Sequence, residues 1–175
     1  MLKLYSYIKL SLIFLFIFGF ISISSIFYAL WKYSPELPSY ENILKYKPNL
    51  SSRIYSSDGF LLKSFFTEER IFIPENRIPK NIKYAFLASE DKNFYSHYGL
   101  DIAAIFRAFF TNILNVNTNK RVVGASTITQ QVVKNLLLSN ELSYSRKIKE
   151  IILAIRIENI LSKEKILELY LNDIY

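Results

Sequence analysis

Ala88-Ser-Glu-Asp-Lys-Asn-Phe-Tyr-Ser-His-Tyr-Gly-Leu-Asp101 is the stretch from which the rest of this chain is read. Two adjacent acids, Glu90 and Asp91, close an apolar, helix-like run from Ile82 to Ala88. Phe94, the single histidine of the sequence (His97) and one of its four glycines (Gly99) follow directly. A buried, unpaired carboxylate costs on the order of several kcal/mol, so folding alone has little use for an acid pair there. Either Glu90 and Asp91 are solvated and His97 caps a turn, or the group belongs to a polar site. This stretch alone leaves both readings open.

Working outward toward the C-terminus, the sequence is helical. Asp101 is the expected N-cap of a helix whose apolar residues fall at Ile102, Ile105, Phe106, Phe109, Phe110, Ile113 and Leu114, one face at helical spacing. The default reading of that face is core, and the alternative is contact with a membrane. Asn115 to Val123 is polar and aperiodic, hence a loop.

Gly124-Ala-Ser-Thr-Ile-Thr-Gln-Gln-Val-Val-Lys-Asn135 then predicts a helix opened by Ser126. At 100° per residue, Ser126, Thr127, Gln130, Gln131, Lys134 and Asn135 share one half of the cylinder. Ile128, Val132, Val133 and Leu136 take most of the other. A solvated face usually alternates Glu with Lys. This one offers neutral hydrogen-bonding groups and one cation, which suits a polar, anionic ligand. An ordinary polar face is the alternative.

In Arg146-Lys-Ile-Lys-Glu-Ile-Ile-Leu-Ala-Ile-Arg-Ile-Glu158 the expected buried stripe is Ile148, Ile151, Ile152 and Ile155. Arg146, Glu150, Ala154 and Glu158 line another face, with Arg146–Glu150 as a surface pair and Ala154 small enough to admit a neighbour. Ser162 caps the last expected helix, from Lys163, with Ile166, Leu167, Tyr170 and Leu171 inward.

Toward the N-terminus, Arg53 to Phe66 holds two β-prone runs around Asp58-Gly59, a dipeptide that favours the positive φ of a tight turn. A short β-hairpin is expected. Residues 32–50 hold three prolines and read as an extended linker. Leu10 to Trp31 is 22 residues without a charge. As a helix it is about 33 Å long and crosses a hydrocarbon core of about 30 Å. Ser22, Ser24 and Ser25 can bond back to helix carbonyls, and Tyr28 and Trp31 sit where an interfacial belt belongs. The run is too long for a cleaved signal peptide, and no small-residue cleavage pattern follows it. Lysines flank both ends, so charge does not choose the orientation.

Composition sets outer limits. There is no cysteine among the 175 residues, which excludes disulfides and thiolate zinc sites, and one histidine excludes a His-rich metal centre. The net charge of +7 is modest. After residue 32 it falls to +4, from 19 basic groups (22 less Lys3, Lys9 and Lys32) and 15 acidic ones. That balance suits anionic lipid or pyrophosphate and is too weak to argue for nucleic acid.

Glu90-Asp91-x-x-Phe94-x-x-His97-x-Gly99 resembles the first motif of the peptidoglycan glycosyltransferases, glycosyltransferase family 51. These enzymes are the N-terminal domains of class A penicillin-binding proteins and the monofunctional glycosyltransferases. Gly124 to Gln131 with Lys134-Asn135 is similar to the second motif, and Arg146-Lys-x-x-Glu150 with Ala154 and Glu158 to the third. Ile166 to Tyr175 is similar to the start of the fourth. Four motifs in order behind an apolar anchor make the resemblance specific.

The resemblance implies a mostly α, lysozyme-like domain (51–175) with a membrane-facing subdomain, a transmembrane helix (10–31) and a cytoplasmic stub (1–9). The N-terminus would lie inside the bacterial cytoplasmic membrane and the domain outside it. It implies polymerisation of lipid II into glycan strands by inverting transfer, with undecaprenyl pyrophosphate leaving. By residue match Glu90 is the general base and Glu150 the second essential acid, while Lys134 and Arg146 stand beside the pyrophosphate. Ser126, Thr127, Gln131 and Asn135 would bind sugar and phosphate oxygens, and Asp91, Phe94 and His97 would shape the first motif. No residue is assigned to a metal, and a divalent cation near the pyrophosphate is the one cofactor left open. The implied partners are lipid II, the growing glycan strand and membrane lipid, with other cell-wall synthesis proteins left open. The family's fourth motif continues past the position of Tyr175 and a fifth follows. Residues 1–175 alone are therefore expected not to polymerise glycan. A lysozyme-like hydrolase and a non-catalytic lipid II binder are the alternatives.

Overall fold

The computed structural model describes residues 2–39, 43, 52–65, 71–118, 120–139, 141 and 143–173. They fall into two compact units, Met1–Leu37 and Pro38–Tyr175. The first is one helix, α1 (Leu2–Tyr33), ending in a 3₁₀ turn at Ser34–Glu36 where Pro35 cannot continue the helical bonding. Its span from Tyr7 is long and apolar enough to cross a membrane, and none of its most apolar window is buried. Ser22 and Ser25 return their hydroxyls to the carbonyls of Phe18 and Ile21, both at 2.8 Å, so the polar side chains inside the run are satisfied. Tyr28 and Trp31 pack at its end, with the Lys32 ammonium over the Tyr28 ring.

Most of the linker expected over 32–50 lies outside the described residues. Within it, Tyr33 is still helical and Ile43 is helical and buried, so the segment is not extended throughout.

The expected hairpin forms: β1 (Ser52–Tyr55) pairs antiparallel with β2 (Leu61–Phe65), in register Ile54 to Lys63. Its turn is wider than two residues. The Gly59 N–H donates to the Ser56 carbonyl (3.0 Å), the Ser56 N–H donates to the Phe60 carbonyl (2.8 Å), and Gly59 alone takes positive φ. That is a type I turn closed by one left-handed residue, and Asp58 needs no unusual backbone.

The helical core lies in α4 (Ile128–Leu137), packed against both α5 (Tyr144–Glu158) and α6 (Lys163–Asp173). Ile128, Val132 and Val133 of α4 are less than 2% exposed, as are Leu153 and Ile157 of α5 and Ile166 and Leu167 of α6. Each contributes about 1.5–3 kcal/mol on burial, against a few tenths for an exposed ion pair, so this apolar seam decides the packing. Helix α4 starts two residues later than expected. Thr127 is its N-cap, in a capping box with Gln130, and both are buried. In α5 the buried face is Glu150, Leu153, Ala154 and Ile157, with Ile152 beside it, while Ile155 is exposed. Isoleucines occur nearly all round this helix, so their spacing could not choose the face; small Ala154 does, by admitting a neighbouring loop.

Two helices frame the opening stretch. Helix α2 (Lys80–Glu90) follows a 3₁₀ turn at Glu75–Arg77, and α6 holds that turn in place. The Asn172 side chain donates to the Ile73 carbonyl (2.9 Å) and accepts from its N–H (2.8 Å), and Glu168 accepts from the Glu75 N–H (2.9 Å).

Helix α3 (Ile102–Leu114) begins at Asp101 as expected. Its apolar face is not core. Ile102, Ile105, Phe106, Phe109, Phe110, Ile113 and Leu114 are 40–80% exposed, and the side turned inward carries small residues, Ala104 and Ala108. Helical periodicity shows that a face needs an apolar partner, not that the partner is protein.

Asp101 accepts from the Ala104 N–H (2.8 Å) and from the Asn93 side chain (2.8 Å). The Ala104 N–H, then Asn93 and the nearby His97 and Arg107, hold its carboxyl below the ordinary range of about 3.8. A lowered folded-state pKa means that this stabilisation is complete above the ordinary value and disappears as pH falls through the folded one. Asp101→Ala is expected to cost about 1 kcal/mol at pH 7, with the difference from wild type shrinking below about pH 4. Urea unfolding of the detergent-solubilised protein at the two pH values checks this. A deficit independent of pH would mean that the carboxylate is not the cap.

Candidate active site

Helix α2 delivers Glu90 to solvent and Asp91 to the interior. Asp91, 6% exposed, is the C-cap of α2 and accepts from two directions. His97 Nε2 lies 3.0 Å from both carboxylate oxygens, and the Ile128 N–H, at the start of α4, donates to Oδ2 at 3.0 Å. A carboxylate at a helix N-terminus satisfies a donor that the helix itself cannot. Asp91 thus ties the first motif to the second. His97 does not merely cap a turn. Its Nδ1 is buried with no partner among the described residues, and its ring meets Phe94 edge-on at 6.2 Å.

Gly99 brings in the third motif. Its φ is +86°, and a Cβ there would stand 2.9 Å from both the carbonyl carbon and the carbonyl oxygen of Ala154. The Gly99 carbonyl also accepts from Thr127 Oγ1 at 2.7 Å. One small residue from each of two motifs therefore lets loop and α5 backbones touch.

Beneath this contact Thr129 donates to Glu158 (2.5 Å), which pairs with Lys163 (2.7 Å), and the Lys163 ammonium lies 4.5 Å from the centre of the buried Phe94 ring. A desolvated ion pair costs more when one partner is removed than it contributes when whole, so this cluster fixes register. Phe94, Asp91 and His97 are placed as framework here.

Above it sit the remaining polar residues. Glu90 is exposed, and its Oε2 accepts from Gln131 Nε2 at 3.0 Å. Glu150, 2% exposed, pairs with Lys147, whose ammonium also donates to Ser126 at 2.8 Å. The expected Arg146–Glu150 pair is absent, because the rotation of α5 that buries Glu150 turns Lys147 toward it. Arg146 instead has a buried Nε with no partner among the described residues. Lys134 is half-buried, and Asn135 donates to Asp173 at 2.9 Å.

A cleft of about 420 Å³ opens beside Glu90, lined also by Lys92, Asn93, Arg107, Ser126 and Thr127. Its far wall is α3 and the loop after it, held because Asn112 pairs with both the N–H (2.8 Å) and the carbonyl (3.0 Å) of Val123. Glu90, Ser126 and Thr127 border this cleft, whereas Gln131, Lys134, Asn135, Arg146 and Glu150 do not line it. Sequence reasoning does not single out Lys147, Thr129, Lys163, Arg107 or Asn112. Each is an ordinary residue on a helix, and only the folded arrangement shows what it meets. Among the described residues no three acids or histidines converge.

The profile of the transglycosylase family matches residues 58–175. The protein is 51% identical over 148 residues to penicillin-binding protein 1A of Rickettsia bellii (strain RML369-C), covering 85% of this sequence and 19% of that protein. It is 50% identical over 148 residues to the protein of the same name from Rickettsia prowazekii (strain Madrid E), with the same coverage. For the one from Neisseria flavescens the figure is 47% over 141 residues, 81% of this sequence and 17% of that protein. The match thus spans about a fifth of the length of these relatives. Two motifs border one cleft, the other two pack against them, and a profile match covers most of the sequence: the protein belongs to the transglycosylase family of peptidoglycan glycosyltransferases.

Proposed function

We propose that these residues form the catalytic site of a peptidoglycan glycosyltransferase that extends glycan strands from lipid II. The observation that carries the reading is Glu90, an exposed carboxylate at a 420 Å³ cleft with no ion pair among the described residues. A sugar hydroxyl is a poor nucleophile and needs a positioned base. The acceptor's 4-hydroxyl gives its proton to Glu90 while its oxygen bonds to the anomeric carbon of the donor strand. The bond from that carbon to the pyrophosphate oxygen breaks, the electron pair leaves with undecaprenyl pyrophosphate, and configuration inverts. Arg146, with its unpartnered Nε, and Lys134 supply positive charge for the leaving group. Glu150 is committed to Lys147, so its part is to hold that ammonium against Ser126.

The test grafts residues 58–175 in place of the matching segment of the Rickettsia bellii relative and supplies lipid II. Lengthened strands support transfer. Shortened strands would point to a hydrolase, and binding without a polymer to a lipid II receptor.

The same reading places α1 across the cytoplasmic membrane, with residues 33–175 outside and the exposed apolar face of α3 toward the bilayer. Protease added to intact spheroplasts is expected to digest the domain and leave a small membrane-bound stub. Protection until the membrane is lysed would reverse the orientation.

A further inference from the structure

We propose that Gln131 is a positioning residue for Glu90, its side-chain amide holding the carboxylate aimed at the cleft. This rests on the reading of Glu90 as the general base. The contact joins residues 41 apart in sequence, with Gln131 Nε2 donating to Glu90 Oε2 at 3.0 Å.

Both ends of the contact stand on rigid backbone. Gln131 is in the first turn of α4, whose N-terminus is fixed by the Thr127–Gln130 capping box and by Asp91 on the Ile128 N–H. Its neighbour Val132 is buried. Glu90 ends α2, and the next residue, Asp91, is buried and doubly bonded. The only soft degrees of freedom are the side-chain torsions of Glu90 and Gln131. The amide contact is the one hydrogen bond at the Glu90 carboxylate among the described residues, so it selects the rotamer.

The chemistry of the donor matters as much as its place. An amide N–H fixes one carboxylate oxygen and leaves the other open to an acceptor hydroxyl. A neutral amide does this without a counter-charge. A lysine or arginine in its place would hold the carboxylate as an ion pair and make it a poorer base.

Other groups share the field. Asp91, Lys92, Asp101 and Arg107 line the same cleft, and Lys134 lies one turn beyond Gln131 on α4. Tyr170 of α6 is buried, and its phenol is pushed up to about 12 by burial and by the charge of Glu90.

The test reads Glu90 itself. The full-length protein in detergent micelles, labelled with ¹³C-glutamate, is examined by NMR, with the Glu90 side-chain resonances identified by their loss in Glu90→Gln. In the wild type the three-bond couplings of Glu90 are expected to report one staggered rotamer. Gln131→Met keeps the length and removes the donor, and the couplings are expected to average over several rotamers. Gln131→Glu puts a carboxylate where the donor stood and is expected to average them likewise. A purely structural or substrate-binding Gln131 leaves the couplings where they were. Unchanged couplings in Gln131→Met, or couplings already averaged in the wild type, overturn the proposal. Strand synthesis by Glu90→Gln would remove the base assignment and leave this result standing, since the couplings read the side chain and not the reaction.

Discussion

Glu90→Gln is expected to reduce strand synthesis by about 10²–10⁴-fold, the range in which general-base catalysis contributes. The substitution keeps the shape of the side chain. It also keeps an acceptor oxygen for the Gln131 amide, so the 3.0 Å contact survives in form while basicity is lost. Stability should barely change, because Glu90 is exposed and its neighbours Leu87 and Asp91 keep α2 in place. Lipid II binding should persist for the same reason, since Lys134, Arg146 and Lys147 are untouched. The measurement pairs polymerisation on purified lipid II with a binding isotherm, both in the grafted relative. Near-normal strand synthesis would take the base role from Glu90. Lost binding alongside lost synthesis would make it a substrate ligand instead. Glu150→Gln provides a contrast. It breaks a buried ion pair and leaves Lys147 uncompensated, so it is expected to lower stability as well as activity.

Much of this arrangement is legible in the sequence because its signals are local. Asp101 and Ser162 announce caps, and both side chains accept helix N–H groups. Gly99 and Ala154 are small where neighbours are large, and they meet. Residues whose partners lie across the fold are legible only as types. Asp91 reads as half of an acid pair, yet it is the strut between His97 and the N-terminus of α4. Glu168 and Asn172 read as positions of a motif, and their work is to hold Ile73 and Glu75, which sets where α2 begins.

Two failures have a common cause. Spacing alone assigns both the isoleucine stripe of α5 and the phenylalanine face of α3 to the core. Periodicity reports an axis of amphipathicity, but not which apolar surface wins when several are available. In α5 the close approach of Gly99 outweighs one more buried isoleucine. In α3 small Ala104 and Ala108 face the cleft, and the large side chains are left exposed. The pairing of Glu150 follows from the same rotation. Positions 146 and 147 both stand within helical reach of 150, and only the buried face of α5 decides for Lys147.

Gly99→Ala is expected to destabilise the domain by about 2–5 kcal/mol, a large share of the roughly 5–15 kcal/mol that holds a domain together. Two effects combine. At φ +86° an L-amino acid is strained by about 1–2 kcal/mol. The new Cβ would also stand 2.9 Å from the carbonyl carbon and oxygen of Ala154 and 3.1 Å from the Ile155 nitrogen. These are backbone atoms of a packed helix and cannot swing aside. Either the loop lifts or α5 shifts, and the 2.7 Å bond from Thr127 to the Gly99 carbonyl is lost in both cases. Thr127 caps α4, so Gln131 and its contact with Glu90 move with it, and activity should fall further than stability alone requires. Gly59→Ala separates the two effects. Gly59 has nearly the same φ, +82°, with nothing within 4 Å of an added Cβ, so only the conformational part of the loss should appear. Urea midpoints of the two variants give the contribution of the close approach by difference. Equal losses would show that the contact with Ala154 contributes nothing. Ala154→Gly should not rescue Gly99→Ala, because the atoms in the way belong to the backbone and remain.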